Sequence, residues 1–201
     1  MMAERHTEGG IPSIGKVAWG SHLCHFYLKP EDLIGVQVPF MKAGLENNER
    51  CYWLTADPLR AQEARAALAS VMPDLDGYLE RGSLTIQEVY GVSAKTSSTG
   101  GILARWEKEE GEALAAGHPG LRVAGNMGFL SRGEWPAFLK HEHDFNLRAP
   151  QRRILGLCSY NLQKCQAGDI FSVIGSHQFT LGRRDEHSWE ILETLNRPPG
   201  R

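Results

Sequence analysis

The sequence predicts a three-layer α/β domain with a mainly parallel sheet and helices on both faces. Short apolar runs of strand length alternate with stretches of helical periodicity from about residue 19 onward, a pattern typical of repeated β-α-β units. The run at 153–160 is apolar almost throughout, as expected of a central strand that is buried on both faces. The charged fraction of 23% and the hydrophobic fraction of 41% are those of an ordinary globular protein.

Each predicted element has a local reason. Pro30, Glu31 and Asp32 open the first helix, because proline suits a first helical turn and acidic residues suit its positive end. This helix runs to Gly44 with a kink at Pro39, and the Asp57–Pro58 pair caps the next one. Strands are predicted at 22–27, 51–55, 83–90, 121–126, 153–160 and 179–181, and helices at 30–44, 57–71, 102–113, 135–147, 169–176 and 186–195.

The chain is expected to hold one domain over residues 19–196. Residues 1–18 are polar and contain glycine and proline, so they predict a flexible lead-in, and residues 197–201 predict a frayed tail. The net charge of −2 and the lack of a basic run disfavour nucleic-acid binding. No apolar run approaches the roughly 18 residues of a membrane span. The start has no secretion signal and the four cysteines form no C-x-x-C pair, so a cytoplasmic protein with reduced thiols is expected.

Several motifs occur in the order found in a known family. The segment "SHLCHFYLKPEDL" holds an H-x-C-x-F-Y strand, and "PFMKAGLENNERCYWLTADP" holds an F-x-x-x-G-L turn and a strand with an aromatic pair. "GHPGLRVAGNMGFL", "KHEHDFN" and "LGLCSYN" follow. Over residues 20–180 the chain resembles the MEDS family, the sensory domain of DcmR-type regulators of one-carbon metabolism. Asn161 departs from the family, which more often has aspartate there.

The resemblance implies a KaiC-like RecA fold with strand order 3-2-4-5-1-6. In such ATPases the first strand leads into G-x-x-x-x-G-K-[ST], which holds the phosphates. Here it leads into Leu28-Lys29-Pro30-Glu31-Asp32, which lacks the glycines and sets two negative charges where a triphosphate would lie. The chain therefore has no functional Walker A motif, and no ATP binding is expected.

His22 and Cys24 share one face of the first strand, and Cys158 and Tyr160 share one face of the fifth. The implied strand order makes these strands neighbours. A soft-metal or thiol-reactive site built from His22, Cys24, Cys158 and His177 is one interpretation. Two buried thiols and a hydrogen-bonded histidine are the other, and the lack of C-x-x-C spacing favours it. No metal is therefore predicted, and the sequence identifies no cofactor.

Tyr27, Asn126, Met127, Tyr160 and Asn161 fall at the carboxyl ends of the first, fourth and fifth strands, where ligands of open α/β sheets bind. Together with His22, Cys24 and Cys158 they predict a site for a small apolar or weakly polar effector. The alternative is that they are ordinary strand-end residues that satisfy loop backbone groups.

Glu142 lies on the apolar stripe of its helix and requires a buried partner. Arg122, on the strand immediately before that helix, is the predicted partner in a structural ion pair.

The sequence shows no nucleophile elbow and no dinucleotide fingerprint. A non-catalytic sensory module follows, which the resemblance connects with a hydrocarbon-like or one-carbon-related effector. No output segment is evident, so we expect signalling through a regulatory protein partner, with a homo-oligomer also possible. The alternatives are a residual nucleotide hydrolase, an enzyme that uses Cys24 or Cys158, and a protein-interaction domain with a collapsed pocket.

Overall fold

A computed structural model of the protein describes residues 6–11, 13–89, 99–183 and 189–194. Within these ranges the chain forms a two-stranded hairpin and a seven-stranded sheet. The hairpin strands are β1 (His6–Glu8) and β2 (Lys16–Ala18). The sheet strands are β3 (His22–Tyr27), β4 (Arg50–Thr55), β5 (Leu84–Glu88), β6 (Leu121–Asn126), β7 (Ile154–Asn161), β8 (Phe179–Arg183) and β9 (Trp189–Glu193).

The strand order is β5-β4-β6-β7-β3-β8-β9. Its first six strands repeat the 3-2-4-5-1-6 order that the resemblance implied, and β7, predicted as central, is the middle strand. Every pairing is parallel except that of β9 with β8. The predicted fold class is confirmed.

Six α-helices cover the sheet in the described ranges: α1 (Pro30–Glu46), α2 (Ala61–Ala69), α3 (Leu75–Glu80), α4 (Thr99–Ala115), α5 (Trp135–Arg148) and α6 (Ala167–Gly175). Right-handed crossovers place helices on one face while the chain moves toward one sheet edge, and on the other face as it returns. α1 and α2 accordingly pack on one face, the α1 face. α4, α5 and α6 pack on the opposite face, the α5 face.

The structure corrects three local predictions. The predicted closing helix at 186–195 is wrong, because residues 189–193 form β9 and pair antiparallel with β8. The segment 1–18, predicted to be a loose lead-in, contains the β1–β2 hairpin, and Ile11 within it is buried in the core. Asp57 and Pro58 precede α2 without capping it, since Arg60 is the N-cap residue. The tail at 197–201 lies outside the described residues.

Among the described residues, no helix is both long enough and apolar enough to span a membrane.

Candidate functional site

Two adjacent central strands present polar side chains to the α5 face. β3 and β7 pair in register, so that Cys24 lies beside Cys158 and Phe26 beside Tyr160. Side chains alternate along a strand, and His22 therefore shares this face with Cys24. The sequence analysis predicted that Cys24 and Cys158 are neighbours, and the strand register places them side by side.

A buried polar cluster surrounds Glu142 of α5. Its Oε2 atom lies 2.7 Å from Nε2 of His177 and 3.4 Å from Nε2 of His22. The hydroxyl of Tyr160 donates a hydrogen bond to the same oxygen at 3.0 Å, and Sγ of Cys158 lies 3.7 Å from Oε1. The carboxylate and both imidazoles are at most 3% exposed. The cluster is therefore almost fully removed from water.

Burial sets the ionisation of this cluster. It lowers the pKa of His22 to about 4, with the charge of His177 adding to the effect. It raises the pKa of Cys24 to about 12, and burial together with the Glu142 carboxylate holds the pKa of Cys158 well above its usual range. Burial alone would also raise the pKa of Glu142, but its contacts with His177 and His22 outweigh this and hold that pKa well below its usual range. A carboxylate thus lies beside a neutral imidazole and protonated thiols at neutral pH.

Three members of the alternative metal-ligand set, which the sequence analysis disfavoured, come together in the structure, and one does not. His22, Cys158 and His177 lie around Glu142, and the four side chains offer ligand atoms that all lie within 4.8 Å of one another. Cys24 instead donates a hydrogen bond from Sγ to Oγ1 of Thr180 at 3.2 Å. Glu142 was missing from that alternative set, although its place on an apolar helical stripe was the signal that it needed partners.

The predicted Arg122–Glu142 ion pair is wrong. Arg122 points to the α1 face, whereas Glu142 lies on the α5 face, so the sheet separates them. Arg122 pairs with Glu49, its Nε 2.6 Å from Oε2 and its Nη2 3.0 Å from Oε1, and both side chains are 0% exposed. Its guanidinium also donates to the carbonyl oxygens of Phe40 and Glu8 at 2.8 and 2.7 Å. The buried arginine therefore ties α1 and the amino-terminal hairpin to the sheet.

Gly44 makes room for this arginine. A Cβ atom at Gly44 would lie 2.6 Å from Cδ of Arg122 and 2.7 Å from Sγ of Cys51. Real Cβ atoms essentially never approach other atoms so closely. The glycine of the F-x-x-x-G-L turn is thus explained by the close passage of the Arg122 side chain.

Tyr27 and Asn126 serve the local backbone at the strand ends. The Tyr27 hydroxyl donates to Oδ1 of Asn126 at 2.9 Å. Nδ2 of Asn126 donates to the carbonyls of Ala56 and Asp57 at 2.8 and 3.0 Å, and its Oδ1 accepts from the Gly128 amide. Burial raises the pKa of Tyr27 to about 12. For these two residues the alternative interpretation, that they satisfy loop backbone groups, describes the geometry.

A cavity of about 320 Å³ opens beyond the carboxyl ends of β6 and β7, on the α5 face. Of the predicted binding residues, Met127, Tyr160 and Asn161 line it, and the others lie outside its lining. Its largely apolar wall is completed by Leu130, Trp135 and Cys165. A larger concavity of about 770 Å³ lies at the opposite end of the sheet, between the hairpin and β8–β9, and none of the predicted residues line it.

The polar groups of the 320 Å³ cavity are mostly engaged. Nζ of Lys164 donates to the Gly128 carbonyl at 2.7 Å, and Arg132 pairs with Asp169 at 2.6 Å. The indole N–H of Trp135 is buried beside the Asp169 carboxylate, and their hydrogen bond contributes to the lowered pKa of Asp169, although the two groups are poorly aligned. The cavity thus combines an apolar wall with one buried indole N–H that is poorly aligned with its acceptor.

The turn after β3 holds a carboxylate of the chain itself. Oδ2 of Asp32 accepts hydrogen bonds from the backbone amides of Leu28 and Lys29 at 3.1 and 3.2 Å, and its Oδ1 accepts from Arg183 at 2.6 Å. Burial would raise the pKa of Asp32, but these hydrogen bonds together lower it. Glu31, which the sequence placed beside it, is exposed.

A second polar network crosses the α1 face and was not predicted from the sequence. Nε2 of Gln37 donates to Oγ of Ser159 at 2.9 Å, and its Oε1 accepts from the Trp53 indole at 2.9 Å. Nδ1 of His25 lies 3.2 Å from the same Ser159 hydroxyl. Burial lowers the pKa of His25 to about 3, only partly offset by Asp32. The alternation that puts His22 on one face puts His25 on the other.

The strand order and the two helical layers define a RecA-like α/β domain of the KaiC type. Two solved structures share this fold. The KaiC-like protein PH0186 from Pyrococcus horikoshii OT3 has a TM-score of 0.63 and 14% identity, over 96% of this chain and 89% of that one. The flagellar accessory protein FlaH from Methanocaldococcus jannaschii has a TM-score of 0.56 and 11% identity, over 84% of this chain and 73% of that one. At these identities the likeness concerns the fold.

The chain belongs to the MEDS family, the methanogen/methylotroph DcmR sensory domain, whose model matches residues 21–178. It is also similar to the transcriptional repressor DcmR of Methylorubrum extorquens (strain DSM 6343 / CIP 106787 / DM4), with 23% identity over 167 residues that make up 82% of this chain. The chain spans 60% of that repressor's length.

Proposed function

We propose that this protein is a non-catalytic sensory domain that binds a small, largely apolar effector with one hydrogen-bond acceptor. The effector occupies the 320 Å³ cavity at the carboxyl ends of β6 and β7, and occupancy is passed to a regulatory protein partner. The family is sensory by description, and a similar protein is a transcriptional repressor.

The observation that carries this proposal is the lining of the cavity. Met127, Leu130 and Tyr160 offer a thioether, an aliphatic and an aromatic surface, which favour an apolar body over a phosphate. The buried indole N–H of Trp135 is poorly aligned with the Asp169 carboxylate, and a misaligned hydrogen bond is weak. A carbonyl or hydroxyl oxygen on the effector would satisfy this N–H.

The turn after β3 supports a role without nucleotide hydrolysis. A phosphate loop offers free backbone amides to its anion. Here the Leu28 and Lys29 amides already donate to Asp32, whose negative charge would oppose a triphosphate. The side chain thus occupies the donors that a nucleotide would need.

The state of the thiols supports the same conclusion for cysteine chemistry. A thiolate is the nucleophilic form of cysteine. Burial raises the pKa of Cys24 to about 12 and holds that of Cys158 well above its usual range. At neutral pH both are protonated and therefore poor nucleophiles.

The test uses 2-butanone, which has a short apolar body and one acceptor oxygen. In protein labelled with carbon-13 at the methionine methyl groups, titration should shift the Met127 signal saturably. Met41 and Met72, buried on the α1 face, should not move and serve as internal controls.

A pair of tryptophan substitutions locates the response. Leu130→Trp fills the cavity and should abolish the Met127 shift, whereas Leu147→Trp, at a position 53% exposed on α5, should leave it unchanged. A Met127 signal that stays fixed up to millimolar ketone, or a shift that persists in Leu130→Trp, would remove the support for this cavity as the effector site.

A further inference from the structure

The cluster around Glu142 has the composition of a metal site. It contains two imidazoles, one thiol and one carboxylate, contributed by β3, β7, α5 and the turn after α6. We propose that His22, Glu142, Cys158 and His177 bind one divalent transition-metal ion of the zinc class. This site lies beneath the effector cavity, and the proposal does not depend on what the cavity binds.

Three contacts among the four residues have the spacing of ligands on a tetrahedral ion. Ligands about 2.0–2.3 Å from a tetrahedral zinc lie about 3.3–3.6 Å from one another. Nε2 of His22 lies 3.4 Å from Oε2 of Glu142 and 3.7 Å from Sγ of Cys158, and that sulfur lies 3.7 Å from Oε1 of Glu142. The His177–Glu142 contact, at 2.7 Å, must widen by about 0.6 Å to reach the tetrahedral spacing. The carboxylate must also turn, because the histidines face Oε2 and the sulfur faces Oε1.

The contacts of His177 indicate which ring nitrogen faces the cluster. Nδ1 of His177 lies 2.7 Å from the carbonyl oxygen of Val173, which can only accept, so Nδ1 donates to it and Nε2 faces the cluster. A backbone carbonyl behind a ligating histidine is the usual arrangement in metal sites. Nε2 of His177 lies 2.7 Å from the Glu142 carboxylate but is poorly aligned with it for a hydrogen bond. Both atoms can serve as ligands, and a cation between them would replace this poorly aligned contact with two metal–ligand bonds.

Charge balance favours a divalent ion. A thiolate and a carboxylate together carry two negative charges, and the two neutral imidazoles add none. The site is almost fully buried, and an uncompensated charge there would be costly. A divalent ion makes the site neutral, whereas copper(I) would leave one negative charge. The mixed nitrogen, sulfur and oxygen donors also suit zinc and cobalt(II) better than magnesium or calcium.

Tyr160 hydrogen-bonds to the proposed carboxylate ligand from outside the metal site. Its hydroxyl donates to Oε2 of Glu142 at 3.0 Å, and its ring lines the cavity above. Hydrogen bonds to a ligating carboxylate orient it for the metal. The tyrosine therefore connects the two sites without being a ligand.

Cobalt(II) is the probe for this site. The purified chain is treated with a chelator, desalted and titrated with CoCl₂ under reducing conditions. We expect a stoichiometry of one ion per chain, visible d–d bands of tetrahedral intensity and a near-ultraviolet thiolate-to-cobalt charge-transfer band. Zinc should then displace the cobalt and remove the colour. The absence of these bands, together with no effect of zinc on the melting temperature, would overturn the proposal.

Cysteine variants assign the donor. Cys158→Ser should lose the charge-transfer band, and His177→Gln should weaken cobalt binding at least tenfold. Cys24→Ser is the matched control, because Cys24 lies beside Cys158 in the register but bonds to Thr180, so it should keep the band. Loss of the band in Cys24→Ser with retention in Cys158→Ser would overturn the assigned donor set. If Cys158→Ser does not fold, the band is compared among wild type, Cys24→Ser and Cys165→Ser. A band that persists in both variants shows that neither Cys24 nor Cys165 is the thiolate ligand, and its loss in either variant would overturn the assigned donor set.

Discussion

Replacement of Glu49 by glutamine tests the buried ion pair that the structure assigns to Arg122. The substitution keeps the size of the side chain and one acceptor oxygen, but it removes the negative charge. Glu49 provides both oxygens to the guanidinium, at 2.6 and 3.0 Å, and neither side chain is exposed. The variant therefore leaves a buried guanidinium with one amide oxygen and backbone carbonyls as its described partners, and with no negative charge beside it.

Removal of one partner from a buried ion pair costs about 3–5 kcal/mol. Because glutamine still accepts one hydrogen bond, we expect a loss near the lower end, about 3 kcal/mol. For a chain of this size, each kcal/mol lowers the melting temperature by about 2–4 °C. A decrease of about 6–12 °C should follow from this single change.

Urea unfolding followed by circular dichroism measures the effect as a change in midpoint at constant slope. The control is Glu46→Gln, an exposed residue at the end of α1 that pairs with Lys42. It should change stability by less than about 0.5 kcal/mol. If Glu49→Gln unfolds within 1 kcal/mol of wild type, or with the same midpoint as Glu46→Gln, the buried charge of Arg122 does not depend on Glu49.

Three further outcomes follow from the same structure. Gly44→Ala should destabilise the fold by about 1–3 kcal/mol through overpacking against Arg122. Gly35→Ala on the same helix, with no atom within 4 Å of the added Cβ, should stabilise it by up to about 1 kcal/mol. Changes of the same sign in the free energy of unfolding, measured in urea, would refute this. His25 has a pKa of about 3 in the fold against 6.5 when exposed, so the unfolded chain takes up its proton first as pH falls. Stability should therefore drop by up to about 1.4 kcal/mol per pH unit between these values, with a flatter pH dependence of urea unfolding in His25→Gln. Calorimetric titration with magnesium ATP should give no binding heat because Asp32 occupies the amides of its turn, and micromolar affinity would contradict that.

The sheet was predictable because its strands are short, apolar and regularly spaced. The apolar run at 153–160 predicted a central strand and gave β7. The order of the strands is not a local property, and it came from the resemblance, whose motifs span several strands. The segment at 186–195 predicts a helix only ambiguously, because apolar residues at 189, 191, 192 and 195 fit both a helical and an alternating period. The segment forms a strand because it pairs with β8, a tertiary contact that the local pattern does not reveal.

The partner of Arg122 could not be read from neighbouring elements. Both alternating sets of the β6 strand contain apolar residues, so the pattern does not indicate which set faces the following helix. Arg122 and Glu142 lie on different faces of the sheet. Gly44 was the local indication that a bulky side chain packs against α1. The cluster was predictable only in part, because His22 and Cys158 share a face by alternation, whereas Glu142 reaches them through the packing of α5.

The carboxylate of Asp32 bears on how such a domain can signal. A nucleotide-driven switch resets by releasing its anion, and each cycle consumes a chemical bond. In the proposed role without nucleotide hydrolysis, the Asp32 carboxylate stays part of the chain, and the turn undergoes no irreversible chemical step. In the proposed sensory role, the response then depends on how much more tightly the effector binds one conformation than the other. The response of such a sensor is a reversible equilibrium. It rises and falls with the effector concentration and requires no nucleotide hydrolysis.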